Sequence, residues 1–486
     1  MDFLRKLQKA TVVLAATAVI VQCSMPSGAL AEERRIALEE ALKLAAAESG
    51  ELAQSRLQIQ AKTIELTQAQ GAAANRSEKD SSLIAKPHSL AQDLDIGLKV
   101  PEARKLLGEA KRELASKELQ LRSEVEKLYF TTLQAADNAA LLEQKWAQAQ
   151  KRLATLETKL KFGAAGQDEA DKQKEAVDRA QSELKAARLA LKSAKLQLGE
   201  KLGFDPASAF TVEAKPDYVV LTQEQMWKFV AYAEEHDFEL YKDMETRKMA
   251  EEKVNLTRKL YSAEFGGKDM RLIEAMYSTP AMAYEPFMAN YDSLLGEIKR
   301  KWEGLFLIPV PVVPIILPVP KALLQGEYGG LRYFDESPYS LPVSMLEADK
   351  ARLKEQDTRK KLINNVKKSY LDAKTAEEAY VQALKLADTR VTELEAASKK
   401  HAAGWIKDDE FEKASQASEE SQKGAISGYY AYMSALSALN VVSAGALDSA
   451  WKPGPLPYLT IDDGLEPIKE QPSEPGGDVP SADNGP

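Results

Sequence analysis

VPEARKLLGEAKRELASKELQLRSEVEKLYFTTLQAADNAALLEQKWAQAQKRLATLETKLKFGAAG, residues 100–166, decides the fold. After Gly108 it has no proline or glycine until Gly163. Ala, Leu, Glu, Lys and Gln, the strongest helix formers, dominate it. About 60 such residues at about 1.5 Å each predict a rod of roughly 90 Å. An ordinary globular helix has only about 11 residues.

The stretch occurs twice. Pro101, Val125, Tyr129 and Gly163 are matched by Pro342, Val366, Tyr370 and Gly404, each 241 residues later. A competing register of 238 aligns Ala164-Ala165-Gly166 with Ala402-Ala403-Gly404. Upstream, LTQEQMWKFV from Leu221 answers IALEEALKLA from Ile36. An internal repeat of this length sets the architecture. The fold class is mainly α, two tandem copies of a long helical hairpin, with little β-strand.

The 486 residues are 29% charged and only 7% aromatic, as suits long helices packed along Leu and Ala seams. A net charge of −9 argues against nucleic acid as a partner. Arg5, Lys6 and Lys9 precede an apolar run, Thr11 to Val21, and Ala29-Leu30-Ala31 reads as a cleavage site. Residues 1–31 are therefore expected to be a signal peptide. The alternative is lipidation at Cys23, although Ile20-Val21-Gln22 matches a lipobox poorly. Both readings send the chain out of the cytoplasm.

The first copy is expected over 32–210. It opens with helix over 34–71, broken near Ser49, and continues through a polar connector over 72–99 in which Ile96 to Val100 forms at most one short strand. Pro101 then starts the rod in the first helical turn, where proline is tolerated. The chain turns near Gly163 and returns from Gln167 to Leu202. A short strand is possible at Tyr218 to Val220. The second copy spans 211–450, with helix to about Tyr261 and a proline-rich insertion over 262–341. In it, Pro286 to Trp302 reads as helix and Gly326 to Pro342 as loop. The second rod runs from Pro342 to His401 and its return from Trp405 to Ala444. Residues 451–486 are a closing segment and a disordered tail.

Inside the insertion lies LFLIPVPVVPIILPVP, Leu305 to Pro320. Its five prolines forbid helix and cannot donate within a central sheet. Two readings stay open: an extended apolar segment laid into a groove or subunit interface, or a short insertion at a membrane surface. For the second, Leu305, Phe306, Ile308, Val312, Ile315 and Ile316 are the contact candidates.

Chemistry-bearing patterns are scarce. The three histidines, His88, His236 and His401, form no metal-ligand spacing. No glycine-rich loop follows an apolar strand, and no nucleophile sits beside a base in sequence. Asp408-Asp409-Glu410 complements a helix dipole. No catalytic residue, metal or cofactor is expected, and an enzyme is not.

The pattern resembles the TolC-like outer-membrane efflux family. The residues that carry this are Leu38-Glu39-Glu40-Ala41, Pro101 and Pro342, Val125 with Tyr129, and Val366 with Tyr370. The turns add Lys161-Phe162-Gly163 and Gly404-Trp405-Ile406 followed by Glu410-Phe411 and Ala414. The resemblance covers roughly 34–450. It implies a homotrimer whose long helices form a hollow periplasmic cylinder, working with a periplasmic adaptor and an inner-membrane transporter in the outer membrane. It places Phe162, Gly163, Gly166, Ala403, Gly404 and Trp405 at the tip entrance. The family also builds a membrane barrel from a strand pair in each connector. A spanning strand needs about 9–11 alternating residues, and neither connector offers such a pair. The barrel is thus expected to be reduced or replaced, with Leu305 to Pro320 as the candidate replacement. A coiled-coil envelope scaffold that lost the pore is the competing function. The broad Ala-rich faces of both rods favour a cylinder wall over a strict two-residue heptad seam.

Overall fold

The computed structural model describes residues 34–80, 90–163, 166–205, 210–213, 219–278, 304–309, 316–320 and 337–447. The first copy comprises β1 (Arg34–Ile36), α1 (Leu38–Glu48), α2 (Gly50–Asp80), α3 (Leu90–Lys161), α4 (Gln167–Lys201) and β2 (Phe210–Val212). The second comprises α5 (Gln223–His236), α6 (Phe238–Ser278), β3 (Leu305–Pro309), β4 (Ile316–Pro320), α7 (Ser337–Ala402) and α8 (Asp408–Val442). The rods α3 and α7 have 72 and 66 residues, or about 110 and 100 Å. Their return helices α4 and α8 have 35 residues each. The mainly helical, duplicated architecture is the one the sequence predicts.

Both copies break their entry helix in the same way. Ser49 Oγ accepts from the Leu52 N–H at 3.3 Å, and Asp237 Oδ1 from the Leu240 N–H at 2.8 Å. Each polar side chain supplies an acceptor to a helix start that has none of its own. Each break turns a leucine, Leu52 or Leu240, fully into the interior. Along α4, Val177, Ala180 and Leu184 are buried at spacings of three and four, a seam against α3. On α7 the seam is Leu362, Val366, Tyr370 and Ala373. The copies meet along α3, which packs against both α6 and α8. At Gly97 and Gly108 the side-chain ends of Leu256 and Tyr241 of α6 fill the space a Cβ would take.

Several local expectations are corrected. Pro101 and Pro342 lie inside the rods, which begin at Leu90 and Ser337. A proline costs a helix one backbone bond and crowds the preceding turn, but here the preceding turn of α3 is packed against α6 at Gly97. The polar connector over 72–99 is mostly helix, since α2 runs to Asp80 and α3 starts at Leu90. Ile96 to Val100 is therefore helical, not a strand. Helix α6 continues past Tyr261 to Ser278, and 337–342 is helix where loop is expected. Val219 and Val220 are not in a strand; the strand lies earlier, at Phe210–Val212. Leu305 to Pro320 is not simply extended, because its ends pair as a hairpin. The helix expected over 286–302, residues 1–33 and the 451–486 tail lie outside the described residues.

The junction between the copies is a polar knot in an apolar core. β1 pairs in parallel with β2, Arg34 opposite Phe210 and Ile36 opposite Val212. The buried Tyr129 hydroxyl of α3 shares its one proton between the carbonyls of Ile36 and Glu213, at 3.0 and 3.2 Å. Tyr432 of α8 donates to the Val219 carbonyl at 2.5 Å, and Lys374 Nζ of α7 to the Leu221 carbonyl at 3.1 Å. Ile36, Phe229, Met226, Leu198 and Tyr370 pack around this knot. Irregular backbone buried among apolar side chains needs such partners.

Burial pushes the Tyr129 hydroxyl up to about 12 against the opposing Glu213 backbone bond, and burial also pushes Tyr370 up to about 12. A raised folded value means that stability is fully present below the unfolded value of about 10. It is lost as pH rises from there toward about 12. Denaturant unfolding should show this alkaline loss in the wild type and less of it in Tyr129→Phe. At neutral pH Tyr129→Phe should cost about 0.5–1.5 kcal/mol, because it removes the hydroxyl's bond while the Ile36 carbonyl keeps the Glu213 N–H.

Candidate functional site

Each rod ends in a turn of the same construction. Gly404 has φ 76°. Its N–H donates to the His401 carbonyl at 3.0 Å, and the Trp405 N–H to the Lys400 carbonyl at 2.9 Å. This paired closure uses a left-handed residue to satisfy the last carbonyls of the rod. Gly163 has φ 71°, and its N–H donates to the Leu160 carbonyl at 2.9 Å. The return helix starts four residues after the glycine in both hairpins, at Gln167 and at Asp408. Gly163 and Gly404 are therefore equivalent, which selects the register of 241 over 238. Gly166 is the residue before α4, in extended conformation, and Ala403 precedes Gly404 in the second turn.

Both tips present an aromatic side chain to solvent. Phe162, just before Gly163, is 83% exposed, and Trp405, just after Gly404, is 79% exposed. Nothing lies within 4 Å of where a Cβ would stand on Gly163, Gly166 or Gly404. The glycines are there for backbone conformation at 163 and 404, not for close packing.

Behind the second tip, charged and aromatic groups tie the two hairpins together. His401 Nε2 meets Asp408 Oδ1 at 2.5 Å, joining the end of α7 to the start of α8. The His401 ring stacks on Phe411 at 4.8 Å, and the Arg152 guanidinium of α3 lies over the Phe411 ring at 4.3 Å. Burial pulls Arg152 below the usual guanidinium range, with Glu412 and Asp408 opposing it. Further from the tip, Lys145 of α3 reaches Glu183 of α4 at 2.8 Å and Glu419 of α8 at 2.9 Å. Burial pushes Glu419 up, but Lys423 and Lys145 outweigh it and hold the carboxyl below its usual range. Tyr430 of α8 donates to Asp137 of α3 at 2.9 Å. The tips are thus the ends of two mutually braced rods.

The site residues expected from the sequence fall into two groups. Phe162, Gly163, Gly166, Ala403, Gly404 and Trp405 all lie in the turns or next to them. Leu305, Phe306 and Ile308 lie in β3 and Ile316 in β4, while Val312 and Ile315 are outside the described residues. Sequence reasoning did not find Lys145, Arg152 or Glu419 as braces. Lys145 and Glu419 stand 274 positions apart, with no linear spacing to betray them. His236 closes locally on the Tyr232 carbonyl at 2.9 Å and stacks on that ring, and His88 is outside the described residues. Among the described residues no helix is long and apolar enough to cross a membrane.

No protein-family model matches the chain, and no curated protein matches it in sequence. Its structure does have counterparts. The outer membrane protein VceC from Vibrio cholerae superposes with a TM-score of 0.52 at 13% identity, covering 84% of this chain and 96% of that one. CusC, described for its folding and transmembrane channel formation, gives 0.54 at 9% identity over 86% and 95%. A membrane protein from Pseudomonas aeruginosa gives 0.52 at 14% identity over 84% and 93%. The chain has the TolC-like fold, from end to end of these proteins.

A non-glycine residue at φ near +76° costs about 1–2 kcal/mol. Gly404→Val should therefore open the second turn. Hydrogen exchange across 401–408 should speed up about tenfold, while unfolding of the core around Tyr129 stays unchanged.

Proposed function

We propose that the chain is a subunit of a TolC-like export conduit in the cell envelope, a homotrimer without catalytic chemistry of its own. The observation that carries this reading is the end-to-end likeness to outer-membrane channel proteins, together with two equivalent tips at matched positions. In this reading the rods line a hollow periplasmic cylinder. Phe162 and Trp405 meet a periplasmic adaptor, and an inner-membrane transporter supplies the solute. The expected signal peptide supports export to the envelope, and the likeness to outer-membrane channel proteins supports placement at the outer membrane.

A cylinder wall needs neighbours on both sides, and the chain offers apolar side chains for them. Leu57 and Ile64 on α2, Leu189 and Leu196 on α4, and Leu346 and Leu353 on α7 are all exposed. Each pair is seven residues apart, so each lies on one helix face. Such stripes are poorly placed in water and well placed against other copies.

One observation favours the scaffold reading instead. Only nine residues separate Asp80 from Leu90, too few for two spanning strands of about 9–11 residues each. A scaffold would keep the hairpins and need no lumen.

Light scattering of the processed chain in mild detergent tests the assembly. A mass of three chains is expected, and Leu346→Asp with Leu353→Asp should shift it toward one chain with helicity intact. A monomeric wild type would overturn the reading.

A further inference from the structure

The hairpin in the second connector is built to stop, not to continue, a sheet. β3 and β4 run antiparallel, with Leu305 opposite Pro320, Phe306 opposite Val319, Leu307 opposite Pro318, Ile308 opposite Leu317, and Pro309 opposite Ile316. In an antiparallel ladder hydrogen-bonded and non-hydrogen-bonded pairs alternate. Pro309, Pro318 and Pro320 have no N–H to give, and all three fall in the same alternate set. The rungs are therefore 306 with 319 and 308 with 317, where all four residues carry donors. The remaining backbone groups face outward. On β4 these belong to Ile316, Pro318 and Pro320, so two of its three outward donors are missing. On β3 only Pro309 lacks one, and Leu305 and Leu307 keep theirs.

A closed barrel needs both edges of every hairpin to pair. This hairpin can accept a strand beside β3 and resists one beside β4. Its length agrees. Five residues at about 3.3 Å reach roughly 17 Å, about half of a hydrocarbon core. The described strands of the hairpin, β3 and β4, are too short to be spanning links of a barrel.

Its composition points to the surface of a membrane. Every residue of LFLIP and ILPVP is apolar, so neither face of the hairpin is made for water. Leu305 is 58% and Leu307 66% exposed. An isolated two-stranded hairpin is marginal in water even with one polar face. A protein groove covers one face of a ribbon, whereas lipid can cover both. From Gly304 to Pro320 the sequence has no charge, and it is bracketed by Lys299, Arg300, Lys301 and Lys321, with Glu303 as the one acid between them. An aromatic, Trp302, stands at the same border, where indole rings favour the headgroup level. An uncharged apolar element with cationic flanks matches an anionic bilayer surface.

We propose that the β3–β4 hairpin is a membrane-surface anchor. It seats in the headgroup and upper acyl region of an anionic phospholipid leaflet, holding the helical body beneath the membrane without spanning it. The inference goes beyond the conduit reading and holds equally for a scaffold, so its failure leaves the subunit count untouched.

Flotation of the processed full chain tests it. Two vesicle types serve, phosphatidylcholine alone and phosphatidylcholine doped with phosphatidylglycerol. The chain should float with the doped vesicles and bind plain ones about tenfold less. Leu305→Glu with Leu307→Glu should lose flotation about tenfold while helicity and subunit count stay the same. In planar bilayers of the doped composition the wild type alone should give no conductance steps. Failure of the wild type to float, undiminished flotation of the double variant, or channel steps abolished by that variant would each overturn the anchor.

Discussion

Everything long in this molecule is held at one short place. The rods, about 100 Å or more, have no compact domain to fold into. They are fixed instead by the knot in which Tyr129, Tyr432 and Lys374 bond the backbone carbonyls of the crossing segments. The Glu213, Val219 and Leu221 carbonyls belong to the stretch between the two copies and take side-chain donors, while the Ile36 carbonyl also accepts from the Glu213 N–H beside the β1–β2 ladder. Side chains from α3, α7 and α8 therefore meet at one point, and the apolar cluster of Ile36, Phe229 and Tyr370 closes over it. Away from the knot, the two hairpins are oriented by the packing of α3 on α6 and α8 and by the Lys145–Glu419 and Tyr430–Asp137 braces.

From that place outward the two copies diverge in one direction and agree in the other. Toward the tips they are nearly superimposable in design, with equal return helices, equal turn lengths and a left-handed glycine at the same step. In the connectors they part. The first copy passes from α2 to α3 in nine residues, whereas the second inserts a proline-marked hairpin. A duplicated fold usually needs its shared half for a shared task. Here that half is the pair of braced rods ending in exposed aromatics.

Much of this was legible in the sequence because it rests on local rules. Helix propensity over long runs, proline and glycine at matched positions, and a 241-residue shift are properties of the string itself. The Gly163 and Gly404 turns follow from the same logic, since glycine takes positive φ without penalty. What escaped depends on distant partners. Pro101 reads as a helix start, yet α3 begins about three turns earlier, at Leu90, and the turn before the proline lies against Leu256 of α6. Strand β2 has three residues and no pattern; it exists because β1 and the Tyr129 hydroxyl stand beside it. The hairpin of β3 and β4 was hidden by its prolines. Their spacing hides the strand pattern, yet in the ladder it is what keeps every rung complete.

The central claim is that these rods enclose a space. End-on electron microscopy of the detergent-purified assembly tests it most directly. The account predicts a three-fold ring with a stain-filled or solvent-filled lumen along its axis. A filled bundle with no lumen, or a particle without three-fold symmetry, would contradict it.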